Sequence, residues 1–85
     1  MKIGISGSLE SNDALITVKP CETQQIVIKS VVYDFFHDQI ETVIKQTLKD
    51  LDKENLSVLC EDKGALDYTI RARLVTAIRR MEESK

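Results

Sequence analysis

Apolar positions in this chain recur first at a spacing of two and later at a spacing of three to four. Ile3, Ile5, Gly7 and Leu9 alternate with Lys2, Gly4, Ser6 and Ser8, the period of a strand, weakened by its glycines. Ser11-Asn12-Asp13 interrupts that run. These short polar side chains bond nearby backbone, and Asn tolerates a positive φ, so a turn is expected. Ala14, Ile16 and Val18 then alternate with Leu15, Thr17 and Lys19, a second strand rich in β-branched residues. Pro20 ends it, having no N–H to continue a ladder. A third strand, 24–31, centres on Ile26, Val27 and Ile28. The close spacing of the three runs predicts an antiparallel meander.

The period then changes. Val32, Phe36, Ile40, Val43, Ile44 and Leu51 share one face of a helix over about 32–51, with Asp38, Glu41, Lys45 and Lys49 outward. Glu41 and Lys45 stand four apart in the favourable order. Leu56, Val58 and Cys60 alternate with Ser57, Leu59 and Glu61 in a fourth strand. Asp62-Lys63-Gly64 is a turn in which Gly64 is free to go left-handed. A second helix over about 65–82 gathers Leu66, Ile70, Leu74, Ala77, Ile78 and Met81 on one face. The order β-β-β-α-β-α predicts one α+β domain over 1–85: an antiparallel β-meander plus a fourth strand, with two helices packed on one side.

At 100° per residue, Tyr68, Ala72 and Val75 lie opposite the core stripe of the second helix, with Arg79 beside them, while Arg71, Arg73 and Arg80 spread over the polar arc. Two readings of that face stay open. It is a docking surface, since Tyr and Arg are enriched at interfaces, or an exposed helix carrying scattered apolar residues, which are normal.

Eighty-five residues leave no room for an enclosed cleft with its own lid. That weighs against a self-sufficient enzyme and toward a module on which others act. A net charge of −2 offers no basic excess to neutralise phosphates, so nucleic acid is not an expected partner. No apolar run could span a bilayer, and residues 1–6 lack the core of a signal peptide. No membrane association is expected, and the expected location is cytoplasmic. Cys21 and Cys60 are too few and too far apart for a zinc site or a redox pair. His37 has no second histidine to share a metal, so no metal site is expected.

Ser11 sits between two acids, Glu10 and Asp13. Triad chemistry does not suit it. The lone His37 lies in the first helix, and no Gly-x-Ser-x-Gly elbow surrounds the serine. Two readings remain: an ordinary turn residue, or a hydroxyl modified by another enzyme. The second needs only an exposed loop, and Glu10 and Asp13 would mark such a loop as an acidic knob for a basic cleft. Ser6 and Ser8 are two further hydroxyls nearby, taken as exposed.

Leu9-Glu10-Ser11 followed by Asp13, together with Asp62-Lys63-Gly64-Ala65-Leu66-Asp67 and Ile70-Arg71-Ala72-Arg73, resembles the acyl carrier (gamma) subunit family of citrate lyase. The likeness extends over essentially the whole chain, and the second segment is the more specific. It implies a non-catalytic carrier with no catalytic residue of its own. Ser11 would hold, through a phosphodiester, the phosphoribosyl-dephospho-coenzyme A arm derived from 2′-(5″-triphosphoribosyl)-3′-dephospho-coenzyme A. Leu9, Glu10 and Asp13 would form the recognised attachment loop, and Tyr68, Ala72, Val75 and Arg79 the docking face. The implied partners are a prosthetic-group transferase, an acetylating ligase, and the alpha and beta subunits. The alpha subunit would exchange acetyl for citryl on the thiol. The beta subunit, with a divalent metal held there, would cleave the citryl thioester to oxaloacetate.

The nearest rival is the carrier subunit of malonate decarboxylase, which resembles the same family and takes the same type of arm. An unmodified protein-interaction module is the alternative of another class. Fatty-acid and peptide-synthesis carriers look all-helical with Asp-Ser-Leu at a helix start, unlike the strand-flanked Glu10-Ser11-Asn12 here.

Overall fold

The computed structural model describes residues 2–31 and 33–84, the side chains of 33–35 excepted. Its elements follow the expected order: β1 (Gly4–Gly7), β2 (Ala14–Pro20), β3 (Gln25–Ser30), α1 (Tyr33–Asp50), β4 (Leu56–Asp62) and α2 (Asp67–Glu83). The four strands make one sheet, and the fold is α+β.

The strand order is β1-β2-β4-β3, which corrects the expected meander. β1 and β2 do form an antiparallel hairpin. β3 does not pair with β2; β4 lies between them, antiparallel to β2 and parallel to β3. The reason lies in α1. A helix between two strands is the usual crossover that returns the chain parallel to the first strand, so β3–α1–β4 forms as a unit. Residues 21–24 only have to step over the start of β4. That step is two strand spacings, about 9.5 Å, within reach of four residues. Cys21 N–H donates to Asn55 C=O at 3.2 Å where they cross. β3 is left as an edge, and its outward Gln25 and Lys29 suit that place.

Both helices cover one face. Ala14, Ile16 and Val18 of β2 and Leu56, Val58 and Cys60 of β4 point into a core completed by Ile40, Ile44 and Leu48 of α1 and by Ile70, Leu74, Ala77, Ile78 and Met81 of α2. Each fully buried aliphatic side chain there stabilises the fold by roughly 1.5–3 kcal/mol before entropy is charged. The helical faces hold with four adjustments. Leu48 joins the core, and Thr47 is buried beside it, donating to Val43 C=O at 2.7 Å. Phe36 and Leu66, expected inside, are exposed. Leu66 is the residue that starts α2 rather than part of its stripe. Val32 lies outside the described residues. The expected Glu41–Lys45 pair forms at 3.3 Å.

β1 is turned the other way from its apolar pattern. Gly4 and Ser6 face α2 and are buried, whereas Ile3, Ile5 and Leu9 are exposed. Helix α2 lies so close that a Cβ on Gly4 would fall 1.7 Å from Ala77 O. Only a residue without a side chain admits that approach, so the strand seats its small residues under the helix. Ser6 is therefore no exposed hydroxyl. Among the described residues the opposite face of the sheet carries no helix, and Ile5, Thr17, Leu59 and Val27 align across it in one row. No helix is long and apolar enough to cross a membrane among the described residues.

Candidate functional site

Residues 8–13 join β1 to β2, and Ser11 stands at their tip. Asp13 N–H donates to Glu10 C=O at 3.2 Å, closing a four-residue turn with Ser11 and Asn12 at its centre. Asn12 takes φ 67° while Ser11 does not go left-handed, the pattern of a type II turn, where the third position favours Gly or Asn. The local sequence thus forces the tight reversal that lifts Ser11 outward. Its side chain is exposed, and no hydrogen bond to its hydroxyl is found among the described residues.

The turn is held from two sides. Asn12 N–H donates to Lys63 C=O at 2.8 Å, and Lys63 N–H donates to Asp13 C=O at 2.9 Å. These bonds extend the β2–β4 ladder past Ala14 and Asp62 and zip the Ser11 turn to the Asp62-Lys63-Gly64 turn. Gly64 has φ 92°, a conformation that other residues seldom take. Asp62, buried at the end of β4, accepts from Ser30 Oγ at 2.7 Å and from Ala65 N–H at 2.8 Å. It fixes the segment that leads into α2.

The second hold is Asp13. Its carboxylate accepts from Arg73 Nε at 2.9 Å and Nη2 at 3.0 Å, from Ser8 Oγ at 2.7 Å, and from Ala14 N–H at 2.7 Å. The Arg73 hydrogen bonds, then those of Ser8 and Ala14, lower the pKa of the Asp13 carboxyl to about 2. Asp13 therefore does not stand free as half of an acidic knob; its charge is engaged by α2, and Glu10 alone is the exposed acid of the turn. Ser8, half-buried, is a strut of the same arrangement. Sequence reasoning placed Arg73 on the polar arc and missed this partnership. The one signal was its place in the Ile70-Arg71-Ala72-Arg73 segment, beside an Asp13 that already belonged to the serine motif.

Leu9 and Glu10 are exposed beside Ser11. Tyr68, Ala72 and Arg79 are exposed on α2 and Val75 is half-buried, so the stripe lies on the solvent side of that helix. Between turn and stripe opens a cavity of about 590 Å³ bordered by Asn12, Phe36, Leu66, Asp67 and Tyr68, which the sequence did not announce. On α1, candidate ligand atoms of His37, Asp38 and Glu41 lie within 4.8 Å of one another, but acidic groups so arranged near a helix surface are commonplace without an ion. Cys60 is buried, and burial pushes its thiol up to about 12. A thiol so raised is a poor nucleophile.

For a covalently carried group, the fit rests on the serine and its surroundings. An accessible hydroxyl sits on a turn whose backbone is tied at both ends, and its neighbours Asp13 and Ser8 are already committed to one another. A transferase can approach such a hydroxyl without unfolding the loop.

These features define a small α+β module presenting one serine on a braced hairpin. A family model described as malonate decarboxylase delta subunit matches residues 2–81. Among curated proteins, the chain is 40% identical over 79 residues to the citrate lyase acyl carrier protein of Treponema denticola, covering 93% of this chain and 91% of that one. It is 47% identical over 78 residues to that of Streptococcus mutans, covering 89% and 76%. With that of Fusobacterium nucleatum it shares 45% identity over 84 residues, covering 96% and 89%. The chain belongs to the citrate lyase acyl carrier protein family.

Proposed function

We propose that this chain is the acyl carrier subunit of a citrate lyase and that Ser11 carries its phosphoribosyl-dephospho-coenzyme A arm. The observation that carries the reading is the exposed Ser11 hydroxyl on a turn braced by Asp13–Arg73 and by the Asn12–Lys63 bonds. The arm supplies a terminal thiol, whose thioester carbonyl is more electrophilic than a carboxylate. This chain supplies the rest: an attachment oxygen, a rigid base, and surfaces for docking. In the attachment, Ser11 Oγ forms the new bond to the innermost phosphorus of the 5″-triphosphate. Pyrophosphate leaves, and the hydroxyl proton passes to a base held by the transferase. No group of this chain has to activate the serine.

A tethered thioester reaches two active sites at high effective concentration without diffusing away. The partners proposed are the alpha and beta subunits, the prosthetic-group transferase and the acetylating ligase. Tyr68, Ala72, Val75 and Arg79 are the proposed docking stripe, and Leu9, Glu10 and Asp13 flank the attachment point, Asp13 by positioning. The chain is proposed to be non-catalytic by itself and cytoplasmic. Peptide mapping of the protein from a citrate-fermenting host tests the assignment: an arm on the Ser11 peptide is expected, and a bare Ser11 in the assembled complex would refute it. Ser11→Ala is expected to abolish the mass increment while changing stability by less than about 0.5 kcal/mol.

The matched family model favours a second reading, the carrier of a malonate decarboxylase. Mass cannot separate the two, because the arm is of the same type. Co-purifying subunits and citrate-dependent release of acetate can.

A further inference from the structure

The cavity beside the Ser11 turn has a composition that selects among ligands. Its walls are apolar and aromatic: Phe36 from α1, and Leu66 and Tyr68 at the start of α2, over Ile40 at the base. Phe36, Leu66 and Tyr68 are 47%, 59% and 72% exposed, so three large apolar side chains face water around one opening. Its volume of about 590 Å³ falls within the roughly 300–1,000 Å³ of small-molecule sites.

The polar part of the lining is Asn12, Gln39, Asp62 and Asp67, with the Tyr68 hydroxyl. Gln39 Nε2 donates to both Asp67 oxygens, at 2.9 and 3.0 Å. That leaves the Gln39 carbonyl and the remaining Asp67 lone pairs as acceptors, and no Lys or Arg among the described residues lines the cavity. The site therefore offers aromatic faces, acceptors and the Asn12 amide, together with negative charge from Asp67. It suits a planar aromatic ring bearing an N–H donor and repels phosphate and carboxylate.

Asn12 lines the same cavity, one peptide unit, about 3.8 Å between Cα atoms, from Ser11. In an arm of the constitution proposed above, the adenosine follows directly after the phosphoribosyl unit joined to the serine. Adenine is the arm's only aromatic ring, and its exocyclic amine is a donor. Phosphates and a citryl group are anionic, and the pantetheine portion has no ring to stack. We propose that this cavity receives the adenine of the group on Ser11, stacked against Tyr68 and Phe36 with its amine toward Asp67 and Gln39. The proposal rests on the carrier reading. Its consequence is a shorter swing: the nucleotide is parked at the base of the Tyr68–Arg79 stripe, and only the pantetheine and its thioester sweep out toward the docked subunits.

The test uses carrier co-produced with its transferase, isotope-labelled and examined by NMR against the same chain without the arm. Intact mass comes first; a bare Ser11 would overturn the carrier reading and this proposal with it. With the arm on Ser11, nuclear Overhauser contacts are expected from adenine H2 or H8 to the Tyr68 and Phe36 rings, with amide shifts at Gln39 and at residues 65–68. Tyr68→Ala, at an exposed position, is expected to remove the ring contacts and shrink those shifts several-fold while the arm stays on Ser11. Contacts from the acetyl or pantetheine protons instead, or shifts confined to residues 9–13, would overturn the proposal and leave the carrier reading standing. Free 3′-dephospho-coenzyme A titrated onto unmodified chain gives an independent measure. Tethering supplies an effective concentration of order millimolar, so occupancy by the tethered ring requires half-saturation by the free compound at or below about 1 mM at the same amides. No shift at residues 65–68 at several millimolar would count against the site.

Discussion

Arg73 and Asp13, 60 residues apart in the chain, are joined by two parallel hydrogen bonds of 2.9 and 3.0 Å. The pair ties the end of the Ser11 turn to α2. Arg71, two residues earlier on α2, reaches the other way, to Asp50 at 3.0 Å and Thr47 Oγ1 at 3.2 Å on α1. Two arginines of one helix, Arg71 and Arg73, thus brace the neighbouring helix and the Ser11 turn, and the serine is presented at a fixed place relative to the α2 stripe.

Acid should release that brace. Hydrogen bonds from Arg73, then Ser8 and Ala14, lower the Asp13 pKa from 3.8 to about 2. A carboxyl whose pKa is depressed by folding stabilises fully above its unfolded value and loses that contribution as pH falls through the folded one. The stabilisation from Asp13 is therefore present above about pH 4 and gone by about pH 2. Thermal melts across that window should show a shallower acid decline in Asp13→Asn than in the native chain. Some decline should persist, because Gln46 and Arg71 also hold the Asp50 carboxyl below its usual value. Identical acid limbs would mean that Asp13 and Arg73 do not pair in solution. Hydrogen exchange at residues 8–13 should quicken in Arg73→Ala.

The facing of β1 makes a sharp contrast. A Cβ at Gly4 would strike the backbone of Ala77 at 1.7 Å, which no rotamer change can relieve. Gly4→Ala is expected to cost at least the upper part of the roughly 1–3 kcal/mol typical of overpacking. Ile5→Ala, on the open face, should cost less because Ile5 is half exposed. Urea titrations that reversed this order would put the apolar side of β1 inward after all.

Asp62 is buried, with its two oxygens accepting from Ser30 and Ala65. Asp62→Ala removes both acceptors, and the half-buried Ala65 N–H loses the one it uses. A loss of about 1–3 kcal/mol is expected, with faster exchange at Ala65 N–H. A stability change below about 0.5 kcal/mol would show that water replaces the carboxylate at no cost.

The two thiols should separate cleanly. Cys21 is half-buried and Cys60 buried, and burial first, then Asp62 and Glu61, lifts the Cys60 thiol to about 12. Iodoacetamide at mildly alkaline pH should add one label to the native chain, on Cys21, and two in urea. Rapid labelling of Cys60 under native conditions would show that the β4 core opens readily.

Periodicity along the chain was enough for six elements in the right order, for the inner faces of β2 and β4, and for most of both helical stripes, because those features depend on neighbours within one or two turns. The Ser11 turn was equally legible: Ser-Asn-Asp encodes its own reversal, and Asn12 takes the left-handed position. What the tertiary structure alone decided is non-local. β3 beside β4, β1 presenting its glycine and serine to α2, Asp13 engaged by Arg73, and the cavity between Asn12 and Tyr68 all arise from groups far apart in sequence. Alternation states that a strand has two faces but not which one a helix will cover. That choice depends on how near α2 can come, and Gly4 settles it by having no side chain to hold the helix off.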